Sequence, residues 1–132
     1  MAVGASAYLI NNFLDAAFNA DAFSIAGGAF VQLHVGDPGA SGTSNQAGNA
    51  TRKAVSFSAA SGGAVSNDAE ILWSTGEVDT AEDYTHLSFW DDVDVGEGNF
   101  LGSGLMTANA VAVGDEFKIP VGDLNVSFAV AS

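Results

Sequence analysis

The sequence predicts a mainly β protein: an antiparallel β-sandwich of jelly-roll type with one N-terminal α-helix, forming a single domain over residues 1–132. Three observations carry this. Runs rich in β-branched and aromatic residues recur about every dozen residues, the spacing of short sandwich strands. Gly, Asn or Asp bounds most of these runs, and 16 glycines against 2 prolines suit many tight turns rather than a proline-rich linker. Only residues 5–19 carry a helical period instead of an alternating one. A chain of 132 residues with 48% hydrophobic side chains has the size of one domain and buries roughly two-thirds of its unfolded surface.

The helix comes first. Leu9, Ile10, Phe13, Leu14, Ala17 and Phe18 make one apolar stripe. Ser6 is the expected N-cap, because its hydroxyl can accept from a free backbone N–H of the first turn. Asn19 to Asp21 are the expected end. The stripe packs either on the domain's own core or on a neighbouring subunit.

After Gly27-Gly28 the period becomes two. Val31, Leu33 and Val35 form an apolar face, with Phe30, Gln32 and His34 opposite. Residues 53–59 alternate again, Val55 and Phe57 against Ala54, Ser56 and Ser58. Between them, Asp37-Pro38-Gly39 is turn chemistry: Pro fixes φ and Gly takes the positive one. The stretch "ASGTSNQAGNA" that follows is longer than an ordinary connection. With no acid, base or nucleophile set of its own, its expected role is contact with a neighbour.

"SGG" at 61–63 marks a turn. The runs "AVSND", "AEILWST", "YTHLSFWD", "NFLGSGLM", "DEFKIPVG" and "LNVSFAVAS" complete about eight strands. Leu87 and Phe89 oppose His86, Ser88 and Trp90. Leu124, Val126, Phe128 and Val130 are expected as the apolar face of the last strand. Asp94 to Gly98 and Gly114-Asp115 are expected hairpin turns. The glycines of "GSG" at 102–104 indicate close approach of another backbone.

Charge excludes several function classes. Sixteen acidic residues against 3 basic ones give a net charge of −13. Neutralising phosphates requires Lys and Arg, so neither nucleic acid nor an anionic membrane is an expected partner. With no cysteine, disulfides, thiolate metal sites and cysteine nucleophiles are ruled out. The N-terminus lacks a basic leader region and no apolar run reaches membrane-spanning length, so export by the general secretory route is not expected.

Tests for chemistry give no catalytic residue, no cofactor site and no metal site. "DDVDVGEG" places acids at alternate positions, but Val95 precedes its Gly96 and Gly stands at 102, where an EF-hand needs a carboxylate. A surface turn is the better reading. Eight acids between Glu77 and Glu97 still leave weak divalent-cation binding or a basic partner open. His34 and His86 lack any close-spaced ligand motif and read as packed or interface histidines. No Gly-x-Ser-x-Gly elbow occurs, and "GDPGASG" lacks the lysine of a phosphate loop.

The ordered set "AYLINNFLDAAF", "FVQLHVGDPGASGTSN", "TRKAVSFSAASGGAVSNDAEILW", "YTHLSFWD" and "NFLGSGLMTANAVAVGDEFKIPVGDLNVSFAV" resembles the small tail-fibre-like and minor virion structural proteins of tailed bacteriophages, of the actinobacteriophage and prophage type. The resemblance covers nearly the whole chain. It implies a non-enzymatic virion component with a β-sandwich fold, made in the host bacterial cytoplasm. The partners it implies are other phage virion proteins of tail or capsid. A minor tail or tail-fibre role is the first expectation, and capsid decoration the second. An alternative of another class is a carbohydrate- or calcium-dependent adhesion module, in which Trp73, Tyr84 or Trp90 stacks on a host-surface glycan. The competing reading puts these aromatics in the core.

The expected assembly interface comprises Phe13, Phe18 and Phe23, with Phe30 near the same end of the chain, together with Arg52 and Lys53 as salt-bridge partners for acidic neighbours. A closed homo-oligomer, such as a trimer, would cover the apolar area.

Overall fold

A computed structural model describes residues 3–131. Ser6 starts the helix as expected. Its backbone is extended, and its Oγ accepts from the Leu9 N–H at 3.1 Å. Helix α1 spans Ala7–Phe18 and ends at Asn19, whose N–H reaches back to the Asp15 carbonyl at 2.9 Å.

Among the described residues there are nine strands, eight of them at the expected runs and a first, two-residue one just ahead of the helix, where none was expected. They are β1 (Gly4–Ala5), β2 (Ala29–His34), β3 (Lys53–Val55), β4 (Ala64–Ser66), β5 (Ile71–Trp73), β6 (Glu82–Trp90), β7 (Phe100–Val111), β8 (Phe117–Ile119) and β9 (Asn125–Ser127). All pairings are antiparallel. One five-stranded sheet has the order β1-β7-β6-β2-β3, and β4-β9 and β5-β8 form two ribbons. The mainly β, antiparallel class with one helix is therefore as expected, in a sandwich-like arrangement with an uneven division of strands.

The core lies between the large sheet and the β5-β8 ribbon. Val31, Leu33, Tyr84 and Leu87 meet Ile71, Trp73, Phe117 and Ile119. Phe117 stacks edge-on against Tyr84 at 5.1 Å between centroids and tilts against Trp73 at 5.6 Å. Trp73, Tyr84 and Trp90 are all buried, so none of them offers a face to a sugar.

Two expectations about faces need correction. Val35 is exposed, whereas Gln32 and His34, opposite the core, are fully buried. The cause is the segment after β2. It turns at Asp37-Pro38-Gly39, where the Gly39 N–H bonds the Asp37 carboxylate at 2.8 Å, and runs back over the second face of the sheet. The Ser44 carbonyl meets His34 on that face, and residues 45–47 then pair with the edge of β2, where Val35 N–H bonds the Asn45 carbonyl and Ala47 N–H the Leu33 carbonyl. Gly42 lies against the Phe100 ring, where any Cβ would collide. The Glu82 carboxylate accepts from the Gly48 and Asn49 N–H groups at 2.8 and 3.2 Å. The long loop is thus a packed layer of the chain's own fold.

The second correction concerns the last strand. It stops at Ser127; Leu124 is buried, but Phe128 and Val130 are exposed. β9 has only the three-residue β4 as partner. The Phe128 N–H makes one more bond, to the Gly63 carbonyl at 2.9 Å, and the Val130 side chain lies against Gly63.

Candidate assembly surface

β1 approaches β7 because Gly102 has no side chain: a Cβ there would stand 2.7 Å from the Gly4 carbonyl oxygen and 3.2 Å from the Ala5 Cα. The Ser6 N–H then bonds the Leu101 carbonyl at 2.9 Å. This close approach, anticipated from the "GSG" run, fixes where α1 begins.

The helix placed this way has no buried residue. Leu9 and Phe13 overhang a groove of about 700 Å³ whose floor includes Phe57, Phe89 and Gly102 and whose far wall is Val126 and Phe128. No charged residue lines it, although 14% of the chain is charged. Phe13 meets Phe23 and Phe128 edge-on at 6.0 and 5.8 Å, and Tyr8 meets Phe23 at 6.2 Å. Phe18 points away from this cluster and is 80% exposed, and Leu105 at the rim is 71% exposed. The structure thus brings Phe13 and Phe23 together and leaves Phe18 apart. Phe30, half-buried on β2, sits opposite Trp90 of β6. Sequence reading missed Tyr8, Leu105 and Phe128. Tyr8 lies off the apolar stripe, with Asn11, Asn12 and Asp15 at its helical spacings, and the other two become rim residues only through tertiary placement.

Arg52 and Lys53 are consecutive and face opposite ways. Lys53 Nζ pairs with the Glu77 carboxylate. That pairing, helped by the Ser74 N–H, lowers the Glu77 pKa from its ordinary value. Arg52 is buried on the second face of the sheet. Its Nε donates to Gln32 Oε1 at 2.9 Å, its guanidinium carbon lies 4.1 Å from the Trp90 ring centroid, and Nη1 donates to the carbonyls of Asp92, Asp94 and Glu97. Burial pulls the Arg52 pKa down, and Asp92, Asp91 and Asp94 oppose that pull. Both cations find their acidic or carbonyl neighbours within the chain.

The same face holds a fixed histidine. His34 Nδ1 is 2.9 Å from the Ser44 carbonyl oxygen, so that nitrogen carries the proton. Nε2 then accepts from the Ser88 hydroxyl at 2.8 Å, and Ser88 Oγ accepts from Trp90 Nε1 at 2.8 Å. Burial lowers the His34 pKa below 6.5; nearby His86 and Arg52 add to this, and the Ser44 and Asn45 carbonyls oppose it. Every polar atom in this chain of bonds has a structural task. Among the described residues no group of three or more His, Asp or Glu is arranged to hold a metal ion.

The chain thus leaves an apolar helix face exposed beside a groove lined by no charged residue. Residues 4–127 match the family described as Podophage GP4 fiber I protein gp80. The chain belongs to this family. The match spans α1, the sheet and both ribbons, and it agrees with the resemblance carried by the sequence runs. The fibre family is one of phage structural proteins. No curated protein matches the chain. Among the described residues no helix is long and apolar enough to cross a membrane.

Proposed function

We propose that the chain is a non-enzymatic, minor tail or tail-fibre subunit of a phage virion, working through fixed contacts with other virion proteins. The observation that carries this reading is the unburied apolar surface of α1 and its groove. Phe18 and Leu105 remain mostly in solvent and Phe13 and Phe128 partly so, and contact of such an apolar surface with water is relieved by a protein neighbour. A closed homo-oligomer would bury it symmetrically. The acidic remainder of the surface keeps unassembled chains apart and soluble.

Quantitative mass spectrometry of purified virions, with the major capsid protein as internal standard, tests the placement. A small fixed copy number is the expected result and places the chain at the tail. A copy number in simple proportion to the capsid subunit would assign it to head decoration instead. Absence from the particle would overturn both assignments.

A further inference from the structure

The acidic turn between β6 and β7 encloses a cation supplied by the chain itself. The carbonyl oxygens of Asp92, Asp94 and Glu97 lie 2.8, 2.8 and 2.9 Å from Arg52 Nη1. Acidic, glycine-containing loops gather backbone and carboxylate oxygens around a divalent metal in this way. Here a guanidinium nitrogen occupies the point of convergence. Arg52 Nε donates to Gln32, the guanidinium lies over the Trp90 ring, Nη2 is buried without a hydrogen-bond partner, and Arg52 is only 3% exposed. The nearby carboxylates are turned to other work: Asp91 accepts from the Asn99 backbone and amide N–H groups, and Asp92 accepts from the Asp94 N–H. The turn is therefore built around its carbonyls.

We infer that Arg52 stands in for a metal ion, organising turn 91–98 from within so that its tip keeps one conformation whether or not Ca²⁺ is present. The tip carries Val93 and Val95, both substantially exposed, beside Asp94 and Glu97. A guanidinium stays charged throughout the physiological pH range. The tip is thus pre-set for contact in surroundings where divalent cations vary.

Amide hydrogen exchange across residues 92–98 of the full chain tests this, in chelator and in millimolar Ca²⁺. Wild-type exchange is expected to be the same in both. Arg52→Met removes several charge-assisted bonds and should speed exchange in the turn by at least about tenfold. Amides of β2 and the middle of β6 should stay protected, and Ca²⁺ should restore part of the lost protection in the turn. Faster wild-type exchange in chelator would overturn the inference, as would wild-type exchange in Arg52→Met or the absence of any Ca²⁺ effect on that variant. If Arg52→Met loses protection throughout, Arg52→Lys decides. A protected turn there supports an internal cation, and an open turn on an intact sheet overturns it.

Discussion

On the second face of the sheet, Gln32, His34, Ser88 and Arg52 lie buried beneath residues 36–52 and the turn after β6. Around α1 the reverse holds: Phe18, Leu105 and Val130 are mostly in solvent. Polar residues are inside in one region and apolar residues outside in the other. Each region departs from the usual partition of residue types, and the departures have different causes. Most of the buried polar atoms hydrogen-bond one another or the covering backbone, which offsets the cost of leaving water; among the described residues Gln32 Nε2 and Arg52 Nη2 are buried without a partner. The exposed apolar groups find no such compensation among the described residues. The first region is finished by the fold, whereas the second, on the function proposed above, is covered by a neighbour.

If that contrast is right, substitutions on the covered face should act on stability. Trp90→Ala should have the largest effect. It removes the ring beneath the Arg52 guanidinium and the indole donor to Ser88. Truncating a buried aromatic costs about 3–5 kcal/mol, read as a lowered midpoint in urea unfolding. Gly102→Val should come next. Its side chain would press on the Gly4 and Ala5 backbone, and overpacking of this kind costs about 1–3 kcal/mol. The damage should be local: faster exchange at β1 and the start of α1, with β2 and β6 unchanged. Loss of protection throughout the sheet would show that the helix end is part of the core after all.

The two regions also differ in how far the sequence disclosed them. Strand periods, the Ser6 cap, the Asp37-Pro38-Gly39 turn and the tight approach at Gly102 depend on local chemistry, and all were legible. The pairing of helix stripe and groove was half legible. The stripe is periodic, but Leu105 and Phe128 join its rim through pairings remote in sequence. Burial of Gln32 was not legible, and that of His34 only as one of two readings, a packed or an interface histidine. Alternation marked them as the solvent side of a half-buried strand, and only the return of residues 36–52 converts that side into an interior. Arg52 was hidden for the same reason. A cation in an acidic chain reads as a surface ion pair, and the carbonyl cage that holds it comes from residues 40 to 45 positions later.

A smaller effect should appear with pH. His34 has a folded-state pKa below its unfolded value of 6.5, chiefly through burial. The unfolded chain therefore takes up a proton at a higher pH than the folded one. The His34 contribution to stability is complete above about pH 6.5 and is lost as pH falls from there through the folded-state pKa. Urea unfolding at steps between neutrality and pH 5 should show this decline before most carboxylates titrate. His34→Asn should flatten it, and an equal slope in that variant would assign the decline to another group.

The smallest effect on stability is expected at Phe18, and it bears most directly on what the open region is for. Phe18 is 80% exposed and closes no packed contact within α1 or the groove. Phe18→Ser should shift the urea midpoint by no more than the roughly 0.5 kcal/mol typical of surface positions. If the helix faces a neighbour in the particle, the same change should lower incorporation into virions, measured by the copy-number assay in a mixed infection. Phe117→Ala is the control from the core. It should lose stability outright, and incorporation should fall only as far as folding does. A Phe18→Ser chain that folds and assembles like the wild type would remove Phe18 from the contact surface and confine the interface to the groove beneath Leu9 and Phe13.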